Sequence, residues 1–334
     1  MMQAWQQSLS DVITDSDELA QLLALDRAQL AIPQSPFGLK IPRTLLSRIE
    51  SGNPNDPVLK QFLPTPAKPA NGVNSANDVN GVEYLQFEND PLAEKSATPI
   101  DGLLHKYQGR VLLVLNGLCA VHCRYCFRQH FPYEQHQLDS AKWQRVLDYL
   151  RNDPTIDEVI FSGGDPLAMN DRRLAEFSQS LQTIDHIKRL RIHTRLPVVI
   201  PARINDALLG WLEALKLKVI FVFHINHANE INLDVQQAIA KLSSYTLLNQ
   251  SVLLHQINDD SKTQIALQQR LFEIGILPYY LHLLDPVRGS EPFYLTKQRA
   301  LSIYHAMQAA LPGYLLPKLV EERPHARSKS FVFE

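Results

Sequence analysis

Cysteine is scarce in this 334-residue sequence: there are three, Cys119, Cys123 and Cys126, crowded into one short stretch. An odd number at so tight a spacing cannot form a disulfide framework, which excludes a stapled secreted scaffold and points to intracellular metal ligands. Neither sign of charge is in excess, with 33 Lys+Arg against 35 Asp+Glu and a formal net charge of -2. No global field therefore draws the chain to nucleic acid or to an anionic membrane. No apolar run reaches membrane-spanning length. The opening MMQAWQQSLSDVITDSDELAQLL lacks the basic n-region and continuous apolar h-region of a signal peptide. These absences leave a cytoplasmic protein. What is present, 45% hydrophobic residues, is enough to bury a substantial core, either one large α/β domain with an appendage or two smaller domains.

Residues 1–100 are punctuated by Pro and Asn and read as a mostly helical extension, with a linker by composition at 64–81, PTPAKPANGVNSANDVNG. From residue 111 the pattern becomes regular. Strand-like runs fall at 111–115, 158–162, 189–195, 218–225, 247–256 and 276–284. Helical periodicity lies between them: Trp143, Val146, Leu147 and Leu150 share one face, as do Leu174, Phe177, Leu181 and Ile184. Asn205 is placed to cap a helix carrying Leu208, Leu209, Leu212 and Leu215, and Gly275 to end the one near 261–274. Alternation of this kind implies parallel strands joined by right-handed crossovers. Six units are too few for a closed eightfold barrel. The expected fold is α/β, an open partial (βα)6 barrel over 101–317 followed by a short C-terminal segment, 318–334. Its active site is expected at the C-terminal ends of the strands.

The cysteines lie directly after the first of these strands, in NGLCAVHCRYCFRQH, 116–130. Three thiolates meet three of the four ligand positions of a cubane cluster. With no fourth cysteine, one iron stays open to a small molecule. Zinc is the rival, and it would need His122 or another residue as fourth ligand at awkward spacing. The C-x3-C-x2-C loop resembles that of the radical S-adenosylmethionine (SAM) superfamily, in which SAM chelates the open iron of a [4Fe-4S] cluster. The residue before the last cysteine is typically aromatic there, and Tyr125 fits. The second strand ends in Ser162, Gly163, Gly164 and Asp165, similar to the glycine-rich segment by which that superfamily binds the SAM amino group. Taken alone, GGDP is only a turn signal.

HKYQGRVLL, YCFRQH, SGGDPL, IHTRLPVVIPARI, HINHANEI, NQSVLL and PGYLLPKLV together resemble lysine 2,3-aminomutase from about residue 100 onward. That family uses pyridoxal phosphate (PLP) as well as SAM. The resemblance implies Lys329, in ARSKSF, as the Schiff-base lysine, although RPHARS replaces the glycine-rich run of the larger enzymes. It implies Lys106, Tyr107 and Arg110 for the PLP phosphate, Arg128 for the substrate carboxylate, and Asp285 and Glu322 for the ε-ammonium of lysine. Glu322 departs from the Asp of the larger enzymes. His224, His227 and Gln250 are implied to line the SAM and PLP pocket. Each residue type also has a plain structural reading: a solvated tail lysine, a charged strand edge, a surface Glu, a hydrogen-bonded core His.

The larger aminomutases carry extra cysteines for a structural zinc, which this chain lacks. SDVITDSDELAQLL and GNPNDPVLKQFLP look more like the bacterial branch that supplies (R)-β-lysine for modifying elongation factor P. The reaction implied is conversion of L-lysine to β-lysine, with an external electron donor of flavodoxin or ferredoxin type. An aminomutase for glutamate or arginine is one rival, and the acid pair argues against glutamate. A non-catalytic iron–sulfur protein is another, and it would need neither HKYxxR nor GGDP. The sequence leaves a homo-oligomer open.

Overall fold

The computed structural model describes residues 3–27, 30, 38–63, 86–136 and 138–333. The stretch read as a linker, 64–81, lies outside them. The chain begins with α1 (Ala4–Ser10), β1 (Val12–Ile13), α2 (Ser16–Leu22) and β2 (Ile41–Pro42), the two strands forming a small antiparallel ribbon. Among the described residues the main sheet holds nine strands in chain order. They are β3 (Leu103–Tyr107), β4 (Arg110–Val114), β5 (Glu158–Ser162), β6 (Arg189–Thr194), β7 (Lys218–Phe223), β8 (Thr246–Val252), β9 (Leu277–His282), β10 (Lys318–Glu321) and β11 (Ser330–Phe331). β4 through β10 are parallel. β3 and β11 run antiparallel at the two edges. The edges do not pair with each other, so the barrel is open.

The six anticipated strands are β4 to β9. The short C-terminal segment contributes two strands of its own. KLVE pairs parallel to β9, and Ser330–Phe331 folds back on it. Four and two residues are too short for a period-two pattern to register.

The crossovers carry α3 (Ser140–Asn152), α4 (Asp171–Leu181), α5 (Leu196–Val199), α6 (Asp206–Glu213), α7 (Leu233–Ala240), α8 (Ser261–Glu273) and α9 (Lys297–Ala310). Asp139, Asn170, Asn205 and Asp260 each accept a hydrogen bond from an N–H of the helix they precede, a device worth about 1 kcal/mol per cap. Behind the sheet, Trp143 stacks on Phe177 at 4.1 Å between ring centroids.

The N-terminal residues belong to the same core. Trp5, Ile13, Leu19, Leu45 and Phe62 are buried in one apolar cluster with Phe161 and Phe221 of the sheet. Arg48 is buried and donates to the carbonyls of Val198, Val199 and Glu230. Thr44 Oγ1 donates to Val199 O at 2.6 Å.

Candidate active site

Successive side chains of a strand face opposite sides. The inward set here lines one cavity of about 290 Å³: Ile160 and Ser162 from β5, Arg191 and His193 from β6, Val222 from β7, Gln250 and Val252 from β8, Tyr280 and His282 from β9. Its mouth is built from the loops after the strands. Cys119, Cys123 and Cys126 line it, all unbridged.

The cysteine loop is held by backbone. His122 N donates to Lys40 O at 3.2 Å and Arg124 N to Gln61 O at 2.9 Å, both acceptors lying in the N-terminal segment. The next loop docks on the first: Gly164 N donates to Asn116 O and Asp165 N to Leu118 O, each at 2.7 Å. A Cβ on Gly163, whose φ is +125°, would sit 2.5 Å from Asn116 O, and one on Gly164 would sit 2.5 Å from Leu118 O. These glycines are therefore required by the approach of the cysteine loop, not only by that of a ligand. Asp165 is occupied within the protein. Its carboxylate accepts from Leu167 N, Thr194 Oγ1, Arg195 N and Leu196 N, bracing the ends of β5 and β6.

Burial, and then the neighbouring thiols, push Cys119 well above the ordinary thiol range and Cys126 up to about 12. Three thiolates at such a site call for a cationic centre. Among the described residues no three His, Cys, Asp or Glu side chains are placed to hold a single metal ion. A cubane takes each thiolate on a different iron, so three cysteines fill three of its four protein-facing positions. His122, the suggested fourth zinc ligand, has its Nδ1 2.8 Å from Gly38 O.

Beside the cysteines lies a buried polar network. Arg195 Nη1 donates to Cys123 Sγ at 3.0 Å and to Tyr125 Oη at 2.5 Å, while Nη2 donates to Gln61 Oε1 at 2.6 Å and Glu230 Oε2 at 2.7 Å. Tyr125 Oη is 2.8 Å from His224 Nε2. Burial, with Arg195 nearby, drives His224 down to about 3, so its imidazole is neutral. His227 does not line the cavity. Its Nδ1 accepts from Asn229 N and caps a short turn.

At the other wall, β3, the start of β4 and the β10–β11 hairpin bring Lys106, Tyr107, Arg110, Glu322 and Lys329 together with Asp285, which follows β9. Lys329 Nζ donates to Glu322 Oε2 at 2.7 Å and stands 5.7 Å from the Tyr280 ring centroid. Lys106 Nζ donates to Glu322 Oε1 at 3.2 Å and to Leu92 O at 3.1 Å. The Arg110 guanidinium lies over the Tyr107 ring at 4.7 Å. Burial and the Glu322 charge raise Asp285 to about 7, partly offset by Lys329 and Lys106. Burial also works against ionised Glu322, but Lys329 and Lys106 hold it well below the usual carboxylate range. One acid is thus firmly charged and the other poised to gain charge beside a cation.

Arg128 is buried and donates from Nε and Nη2 to both oxygens of Glu94, at 2.8 Å each. Sequence reasoning anticipated Arg128 free for a ligand and missed its partner. It missed Gln61, Glu230 and Arg195 as well. Gln61 and Glu94 reach the cavity region from the segment read as an extension, and no periodicity or spacing marks them. Arg195 directly follows β6 in IHTR, the one available signal.

A family described as a 4Fe-4S single cluster domain matches residues 108–194. The L-lysine 2,3-aminomutase of Escherichia coli (strain K12) is 44% identical over 95% of this chain and 91% of its own. That of Haemophilus influenzae is 43% identical over 99% and 96%. That of Clostridium subterminale is 32% identical over 98% of this chain and 77% of its own. Among solved structures, Streptococcus suis SuiB bound to S-adenosylmethionine aligns with a TM-score of 0.47 at 13% identity, over 66% of this chain and 52% of that one.

Proposed function

The chain belongs to the L-lysine 2,3-aminomutase family, and on that premise we propose that it converts L-lysine to (R)-β-lysine, the product serving to modify elongation factor P. The observation that carries the reading is one cavity that holds three thiols, a guanidinium, a carboxylate pair and a lysine on an edge hairpin.

Cys119, Cys123 and Cys126 would supply the thiolates of a [4Fe-4S] cluster. The docked 162–165 turn, neutral His224 and Gln250 would flank SAM. Lys329 would carry PLP, with Lys106, Tyr107 and Arg110 about its phosphate. When bound, the cluster with SAM supplies the radical that opens an unactivated C–H bond, and PLP the π-system over which nitrogen passes from Cα to Cβ. The chain's own part is positioning and the exclusion of water. Arg128 presents a guanidinium to the substrate carboxylate. Glu322, which accepts from Lys329 Nζ at 2.7 Å, positions that lysine for the cofactor, and Asp285 takes the distal ammonium of the substrate. The reductant is an external one-electron donor of flavodoxin or ferredoxin type.

Anaerobic reconstitution with PLP, SAM, dithionite and L-lysine, followed by chiral chromatography, is expected to yield (R)-β-lysine. Protein that binds cluster and PLP yet forms none would overturn the assignment. Elongation factor P from cells lacking this gene is expected to have lost the mass of a β-lysyl group.

Asp285 makes the reaction pH-dependent. The ammonium needs its carboxylate, so kcat/KM for lysine rises with pH through about 7 and then levels. Asp285→Asn removes that limb and lowers kcat/KM by roughly 10²–10³, the effect of stripping one partner from a desolvated charge pair. Stability moves the other way. A carboxyl raised above its ordinary 3.8 favours the fold at low pH, and that contribution is lost as pH climbs through about 7. The Asn variant therefore melts higher than the parent at pH 8 and level with it near pH 4. A parent-like pH profile in the variant contradicts the role.

A further inference from the structure

Glu94 has no part in the chemistry above, yet it is 5% exposed and lines the same cavity. It stands at the start of a one-turn helix, Glu94–Ala97, entered through Ala93 in the left-handed region at φ 49°. Asp90 Oδ1 accepts the Glu94 N–H at 2.9 Å. A non-glycine residue held there, with a side-chain cap behind it, fixes where the carboxylate points.

A guanidinium has five N–H donors in a rigid fork. Glu94 takes the edge formed by Nε and Nη2 of Arg128, in fork-to-fork fashion. Nη1 faces Ser162 Oγ at 3.1 Å and Gly163 O at 3.5 Å. The Phe127 and Phe131 rings lie 4.9 and 5.8 Å from the guanidinium carbon. Among the described residues the second N–H of Nη2 has no acceptor. A carboxylate can therefore meet the end edge, Nη1 with Nη2, by displacing one of the two Nη1 contacts, while Glu94 stays in place. Glu94 Oε1 is also 3.7 Å from Lys106 Nζ. Through Lys106 and Glu322, charges alternate across five side chains from Arg128 to Lys329.

We propose that Glu94 is the positioning residue for the substrate carboxylate: it holds Arg128 so that only the end edge is offered, and through Lys106 it ties that placement to Glu322 and Lys329. The inference rests on Arg128 being the carboxylate anchor. An incoming carboxylate meets a guanidinium already neutralised by Glu94, and Lys106 supplies the balancing charge.

The test uses anaerobically reconstituted holoenzyme and its Glu94→Gln, Glu94→Asp and Arg128→Lys variants. KM and kcat are measured for L-lysine, and the inhibition constant for L-lysinamide, which has no carboxylate. Glu94→Gln is expected to raise KM for lysine about tenfold or more, with a smaller change in kcat. The lysinamide constant stays within about twofold of the parent, because its amide makes no charged pair with Arg128. Glu94→Asp keeps the charge but shortens the reach, and falls between parent and Gln. Should the Gln variant not fold, the Asp variant carries the same comparison of lysine with lysinamide. A lysine KM that is unchanged or lower in the Glu94 variants overturns the inference, as does an equal effect on lysinamide; a lower KM would make Glu94 a plug instead. If Arg128→Lys leaves KM for lysine unchanged, the anchor itself is wrong, which is a separate result.

Discussion

Lys329→Ala abolishes the PLP that borohydride fixes to the protein and lowers turnover by roughly 10³ or more, while the iron–sulfur absorbance is retained. Among the described residues only two lysines line the cavity, Lys106 and Lys329. Lys106 is tied to a backbone carbonyl and to Glu322. Among the described residues Lys329 bonds Glu322 alone and sits at the face of Tyr280, so it is the one placed to exchange a salt bridge for a covalent bond. The cysteines lie on a different loop, after β4, which is why the cluster survives. Peptide mapping of the borohydride-treated parent checks the assignment. An adduct on Lys106 would move the carrier to β3 and leave Lys329 as the ion-pair partner of Glu322.

Replacing Cys119, Cys123 or Cys126 by Ala removes the cluster and takes SAM cleavage down by more than about 10³-fold, because each thiolate is one of only three the chain can offer. The fold should not follow it. The loop is anchored by main-chain bonds to Lys40, Gln61 and the 163–165 turn, and none of these requires metal. Far-ultraviolet dichroism of Cys123→Ala is therefore expected to match the parent's, with iron content reduced to a trace. A variant that keeps a full complement of iron would show that the loop is not the cluster ligand.

The parallel strands β4 to β9 were legible because each is a five- to seven-residue segment carrying apolar residues and followed by a crossover helix with an Asn, Asp or Thr cap, and those signals are local. The edges were not. β3, β10 and β11 depend on partners across the sheet, and short strands carry little periodicity of their own. The cavity residues were found through family motifs, and the structure brings all of them save His227 to one cavity. What the motifs could not convey is how these side chains are occupied. Gly163 and Gly164 stood in the sequence as ligand-binding glycines, and the structure uses them to let two loops touch. Arg128 stood as an open cation, and Glu94, from a stretch with no recognisable pattern, fills one of its edges. Ion pairs between residues distant in the chain leave no trace in the spacing of either one.

The manner in which the cysteine loop is braced also bears on when iron can be received during synthesis. All three thiols have been translated by residue 126, but the guanidinium that touches Cys123 arrives at residue 195, and Glu230, which pairs with that guanidinium, later still. Arg48 and Gln61, made early, wait for the same late residues: Arg48 for the carbonyls of Val198, Val199 and Glu230, Gln61 for the Glu230 carboxylate. Contacts spanning 150 residues or more close only when the second half of the barrel has left the ribosome. A nascent chain therefore displays its thiols well before the side chains that brace their loop exist.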